Sequence, residues 1–194
     1  MKRLLALCAV ALLSAQMAQA ETLIVYLSRT HNTQAAAELV QRQIGGDLVA
    51  LETAKPYPQD YQKMVEQVRR EQESNARPAL KNQIDTARYD RIVIGFPTWA
   101  MQLPPPVKTF LATHNLQGKT VLPLNTNAGY GAGSSFDELK ALCAGCKVKQ
   151  GLSLEGGKER DGVLFVMQGA KRQAAAQKIQ QWLVQTGENH RDLQ

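Results

Sequence analysis

Thr22-Leu23-Ile24-Val25-Tyr26-Leu27-Ser28-Arg29-Thr30-His31-Asn32-Thr33 is the stretch that decides the architecture. Its first six residues are almost continuously apolar, the pattern of a strand buried on both faces, as strands are in parallel sheets covered by helices. The next six are polar. They lead into Thr33 to Ile44, where apolar residues recur at helical spacing and stop at Gly45-Gly46. A buried strand, a polar turn and a helix make the first half of a strand–helix–strand motif.

The turn itself carries chemistry. Ser28, Thr30 and Thr33 supply hydroxyls and Asn32 an amide where a helix begins. Free backbone N–H groups and the helix dipole attract an anion there. The same residue types are favoured caps for any helix, so the loop read alone serves a cap and a phosphate site equally well. It lacks the Gly-Lys-Ser/Thr ending of a Walker A loop, and the chain has no G-x-G-x-x-G, so a nicotinamide dinucleotide is not indicated as resident cofactor.

Outward from this stretch the alternation repeats. Leu48 to Leu51 reads as a second strand. The polar stretch Lys55 to Asn82 holds a helix from Tyr61 to about Glu73. Arg91 to Phe96 is a third strand, and Val107 to His114 is a helix entered through Pro104-Pro105-Pro106. Lys119 to Asn125 is a fourth strand, Ser134 to Leu142 a helix, and Lys147 to Leu154 a fifth strand. Val163 to Met167 reads as an extra short strand or the resumed end of the fifth, and Ala170 to Val184 as a final helix. The expectation is a single α/β domain over residues 21–194: a doubly wound, five-stranded parallel sheet with helices on both faces. Its ligands belong beyond the C-terminal ends of the strands.

Two more loops fall at that edge. Pro97-Thr98-Trp99-Ala100-Met101-Gln102-Leu103 follows strand three, and its Trp and Met suit covering a flat apolar object, or plugging the sheet end. Thr126-Asn127-Ala128-Gly129-Tyr130-Gly131-Ala132-Gly133-Ser134 follows strand four. Its glycines let backbone approach a ligand closely, and Tyr130 is placed to stack on a ring; an ordinary flexible loop reads the same way.

In order, these segments resemble the flavodoxin family, and within it the small proteins with an S-R-T-G-N-T phosphate loop, a G-Y-P-I-W-W-G segment, P-V-x-T-F and a G-K-x-I-x-P-F-x-T strand. The counterparts are Ser28–Thr33, Gly95–Met101, Pro106-Val107-Lys108-Thr109-Phe110 and Gly118–Thr126, a likeness running from about Thr22 to Gly156. The resemblance implies a flavodoxin-like fold with FMN held non-covalently. It assigns Ser28, Thr30, Asn32 and Thr33 to the phosphate, within a loop completed by Arg29 and His31. Pro97, Thr98, Trp99 and Ala100 would line one side of the flavin, and Thr126, Asn127, Ala128, Gly129, Tyr130 and Gly131 the other. His31 stands where the family has Gly, which would put an imidazole beside the phosphate; if that backbone position requires positive φ, His can adopt it at a modest cost. Ala100 and Met101 stand where it has Trp and Gly.

Lys2-Arg3, the apolar run Leu4 to Ala15 and Ala18-Gln19-Ala20 form a secretory signal pattern over residues 1–20, so the mature chain is expected to begin at Glu21 in the periplasm or outside the cell. The formal charge of +6, less the signal's Lys2 and Arg3, is +4. Its cations are scattered rather than interleaved with aromatics, which argues against nucleic acid as partner. After cleavage no membrane segment is expected, and the cysteines left are Cys143 and Cys146, a C-x-x-C expected to close as a disulfide in an oxidising compartment. His31, His114 and His190 fall at no zinc spacing, and no catalytic acid or base stands out. The reading is an FMN protein of electron transfer, a carrier or small FMN-dependent reductase, with an unidentified redox protein partner, as monomer or homodimer. The alternative is a flavodoxin fold without flavin, a binding module or a dithiol redox protein acting through Cys143 and Cys146.

Overall fold

The computed structural model describes residues 21–188; the expected signal peptide lies outside them. The strands are β1 (Thr22–Tyr26), β2 (Asp47–Ala50), β3 (Arg91–Pro97), β4 (Thr120–Asn127), β5 (Lys147–Val148) and β6 (Leu152–Glu155). All pair in parallel, in the order β2-β1-β3-β4, with β5 and β6 both along the outer side of β4. The helices are α1 (Asn32–Ile44), α2 (Tyr61–Glu73), α3 (Pro105–Thr113), α4 (Ser135–Leu142) and α5 (Gly169–Gln185).

The near-continuous apolar strands are explained by their register. Leu23, Ile92 and Val121 stand abreast on β1, β3 and β4, and all three belong to the core beneath α2, α3 and α4. One residue on, Ile24, Val93 and Leu122 are abreast and face the other way, into the core with α1 and α5. Each of these side chains is fully buried, and each contributes roughly 1.5–3 kcal/mol by leaving water. Both faces must be apolar because both are covered.

Two expectations need correction. The fifth strand is broken at Lys149-Gln150-Gly151 into β5 and β6. A Cβ on Gly151 would stand 2.5 Å from the Phe136 ring, so the chain bends in against that ring where only glycine fits, and Trp182 Nε1 donates to Gln150 O at 2.7 Å across the break. The second correction is Val163 to Met167, which forms no strand. Its backbone bonds go elsewhere: Val163 N–H donates to Lys158 O, Leu164 O accepts from the Asn32 amide, and Val166 N–H donates to Asn32 Oδ1. An apolar run of strand length is thus anchored by one side chain, leaving Val163, Leu164 and Phe165 exposed.

Candidate functional site

The loops after β1, β3 and β4 surround a cavity of about 310 Å³, at the lower end of the range for small-molecule sites and at the edge where doubly wound sheets bind ligands. Thirteen of the sixteen expected residues line it: Arg29, Thr30, Asn32, Thr33, Pro97, Thr98, Trp99, Ala100, Thr126, Asn127, Ala128, Tyr130 and Gly131. Ser28, His31 and Gly129 do not.

In the first loop, His31 precedes α1 with φ 61°, in the left-handed region, and its side chain caps nothing. The imidazole is exposed and bonded to Gln34 Oε1 at 3.0 Å, outside the cavity lining, which corrects the expectation of an imidazole beside the phosphate. Asn32, 4% exposed, is a fastener. Its Nδ2 donates to Leu164 O at 2.6 Å and to Thr30 Oγ1 at 2.9 Å, and its Oδ1 accepts from Val166 N–H at 3.0 Å. Thr33 Oγ1 and Thr126 Oγ1 bond at 2.7 Å, joining the first loop to the third. Ser28 Oγ is buried and has no hydrogen-bond partner. Such an orphan hydroxyl costs free energy until something satisfies it.

The second loop is a tight reversal in which Ala100 (φ 48°) and Met101 (φ 59°) are both left-handed and Gln102 N–H donates to Trp99 O at 2.9 Å. Met101 O accepts from Ser134 N–H at 3.0 Å, an approach possible because residue 133 is glycine: a Cβ there would lie 2.0 Å from that oxygen. Trp99 is 9% exposed and belongs to the core, with its ring edge-on to Tyr57 at 5.0 Å. It therefore plugs the sheet end and also forms cavity wall. Burial, reinforced by Glu71, drives the Tyr57 phenol far above its ordinary pKa, so it stays protonated and donates to Glu71 Oε2 at 2.5 Å.

In the third loop Gly129 N–H and Gly131 N–H both donate to Asn127 Oδ1, at 2.8 and 3.0 Å. Those two amides fold onto their own loop rather than toward a ligand. Thr98 N–H donates to Thr126 O at 2.9 Å and Thr98 Oγ1 to Gly131 O at 3.0 Å, so loops two and three are tied together.

Two walls were missed by the sequence reading. One is α2, which contributes Tyr61, Met64, Val65 and Val68; their helical spacing was visible, but it reads equally as a core face. The other is a strap, Gly156-Gly157-Lys158-Glu159-Arg160-Asp161, that leaves the end of β6 and crosses to the first loop. Four charges framed by glycines just past a strand's C-terminal end were the signal available. Arg29 Nε bonds Glu159 Oε1 at 2.6 Å, and its other nitrogens donate to Pro58 O at 2.7 Å and Gln59 O at 2.5 Å. Arg160 bonds Asp161 at 2.9 Å and holds that carboxyl below its usual pKa.

Cys143 and Cys146 form a disulfide between the end of α4 and the start of β5. Lys147 pairs with Thr120, the first residue of β4, whereas the cavity takes Thr126 and Asn127 from that strand's other end. The two sites are separated by about 20 Å of strand. Among the described residues no cluster of three metal-ligating side chains occurs, and no helix is long and apolar enough to cross a membrane.

A flavodoxin family profile matches residues 21–168. Among solved structures, the chain is similar to a candidate flavoprotein of Bacteroides uniformis, at 29% identity and TM-score 0.69, covering 83% of this chain and 98% of that one. A candidate flavoprotein of Bacteroides eggerthii matches at 28% identity and TM-score 0.70, covering 87% and 99%. A Lactobacillus acidophilus flavoprotein, solved in complex with FMN, shares the fold at 24% identity and TM-score 0.62, covering 75% and 99%. No curated protein matches.

Proposed function

The chain belongs to the flavodoxin family, and from that premise we propose that it holds FMN in the cavity described above and passes electrons to or from a redox protein partner outside the cytoplasm. The observation that carries this reading is the convergence of the Ser28–Thr33, Pro97–Gln102 and Thr126–Gly131 loops on one cavity that is polar at one end and apolar at the other. The polar end is the N-terminus of α1, where Asn32 and Thr33 lie in the lining and no acidic residue occupies the first turn. A phosphate there meets unpaired backbone N–H groups and the positive end of the helix dipole. Thr30 Oγ1, which accepts from Asn32, keeps its own proton to donate.

The apolar end is walled by Trp99 and Met101 on one side and by Met64, Val65 and Val68 of α2 on another. These side chains keep water from a ring placed between them, and Tyr130, 64% exposed with its hydroxyl accepting from Arg160 Nη2 at 3.4 Å, stands at the rim. FMN, when bound, supplies the redox chemistry; the chain positions it and shapes its surroundings. The FMN complex of the Lactobacillus acidophilus protein supports this assignment. The secretory pattern of residues 1–20 and the closed disulfide support a place outside the cytoplasm, in the periplasm or secreted. The dithiol alternative is not favoured, because the disulfide sits at the edge of the sheet away from the cavity.

The test is reconstitution. The mature chain, from Glu21, is titrated with FMN while flavin absorbance and fluorescence are followed. Stoichiometric binding with quenched fluorescence is the expected result. A colourless protein that leaves free-flavin fluorescence unchanged would sink the FMN reading and leave a flavin-free binding module.

A further inference from the structure

We propose that Lys158 sets the reduction potential of the flavin site by meeting the negative charge that reduction leaves there; this rests on the FMN reading above. Five charged residues line the cavity: Arg29, Lys158, Glu159, Arg160 and Asp161. Four are paired off, Arg29 with Glu159 at 2.6 Å and Arg160 with Asp161 at 2.9 Å. Lys158 forms no ion pair within 4.0 Å among the described residues, although its charge also acts on the Asp161 carboxyl, so the lining as a whole carries a net charge of +1.

Its place is fixed by the strap rather than by chance. Lys158 O accepts from Val163 N–H at 3.1 Å and from Asp161 N–H at 2.9 Å, holding the backbone on both sides of the turn. Lys158 Cε lies 3.8 Å from where a Cβ on Gly129 would stand, so the end of the side chain lies against the third loop; the Glu155 carboxyl carbon is 3.9 Å from the same point, and that carboxylate is bonded to Lys171 at 3.3 Å. The phosphate has its own positive partner at the other end of the cavity, the N-terminus of α1. The two positive features thus serve different parts of one ligand, and Lys158 belongs to the ring end.

The charge balance at that end follows from the redox step. Oxidised isoalloxazine is neutral. Uptake of two electrons from a donor, with one proton from solvent, leaves one negative charge in the cavity. A cation held beside it in a partly enclosed site of reduced dielectric favours the reduced form over the oxidised one. By linkage, tighter binding of the reduced form is a higher potential. The contribution is electrostatic, so another cation replaces it and a neutral side chain of equal length does not.

The experiment compares the FMN-loaded mature chain with its Lys158→Met and Lys158→Arg variants. Dithionite supplies the electrons, a reference dye reports the midpoint potential, and fluorescence gives the Kd of oxidised FMN. Lys158 is exposed, so each variant is expected to fold, with thermal unfolding as the check. In Lys158→Met the ratio of the reduced to the oxidised Kd is expected to rise about tenfold, a midpoint lowered by about 30 mV for a two-electron couple. Lys158→Arg is expected to keep the wild-type midpoint. An unchanged ratio in Lys158→Met overturns the assignment, even if both forms bind more weakly, since that is the mark of a phosphate or packing contact. Failure of the wild-type chain to hold FMN is a separate outcome, and it overturns the function proposed above together with this inference.

Discussion

At the edge where the strands begin, the chain is fastened by a disulfide, a buried ion pair and hydrogen bonds to backbone. Arg91 Nε bonds Glu188 at 2.5 Å with both side chains no more than 10% exposed, Arg91 Nη1 donates to Thr22 at 3.1 Å, and Lys149 reaches Glu188 at 3.5 Å. At the edge where the strands end, loops are joined by side chains such as Asn32, Thr98 and Arg29, whose ion pair with Glu159 is less deeply buried than that of Arg91. Three non-glycine residues there hold positive φ (His31, Ala100 and Met101), and a buried hydroxyl is left without a partner. Most of the exposed large apolar side chains gather at this second edge, on the cavity rim or on the strap's exit at Val163, Leu164 and Phe165. The contrast teaches a division of labour. The deeper ion pair and the disulfide hold one end of the sheet, while the strained backbone of His31, Ala100 and Met101 lies at the cavity end.

The comparison is broken if a fastener at the first edge also controls binding. Arg91→Met leaves the buried Glu188 carboxylate only its 3.5 Å contact with Lys149 and is expected to cost about 3 kcal/mol of unfolding free energy in urea. The FMN affinity of the folded fraction should stay within about twofold, and a larger change would show that the two edges are coupled. Asn32→Ala tests the other side. It leaves Leu164 O and Val166 N–H without their partner, so a loss of about 2–3 kcal/mol is expected together with at least a tenfold weaker Kd for FMN. Replacing Cys143 and Cys146 by Ser should cost about 2 kcal/mol, roughly 4–8 °C in Tm, by loosening the constraint on the unfolded chain. Flavin potential and affinity should not move; if they do, the dithiol has a redox role after all. The smallest effect belongs to His31→Gly. Relief of the left-handed φ is expected to gain no more than about 1 kcal/mol, part of it returned through the greater freedom of glycine when unfolded. The melting curve checks the sign, and a loss would mean that the Gln34 contact outweighs the strain.

The fold was legible because its signals are local. The helix expected from Tyr61 to about Glu73 is observed at Tyr61–Glu73, and the first four strands differ only by a residue or two at the ends, as with Lys119–Asn125 against Thr120–Asn127. The three loops that surround the cavity were legible for the same reason, since each sits directly after a buried strand. What escaped was tertiary. Nothing in the spacing of Met64 and Val68 distinguishes a helix face that covers core from one that also walls a cavity. Val163 to Met167 has a strand's composition, yet its hydrogen bonds go to Asn32, more than a hundred residues away. His31 shows the limit in a third form: the family's glycine raised the question of positive φ, and the backbone there is left-handed, but the imidazole's direction depended on Gln34, one turn along α1.

The break in the outer strand has a consequence for how copies of this protein meet one another. An uninterrupted final strand along β4 would expose a continuous row of unpaired N–H and C=O groups, a template on which a second chain could add its own strand. Here that border is cut into pieces of two and four residues, carries Lys147 and Lys149 near the cut, and bends inward at Gly151. Edge-to-edge aggregation therefore finds no long partner on this side of the sheet.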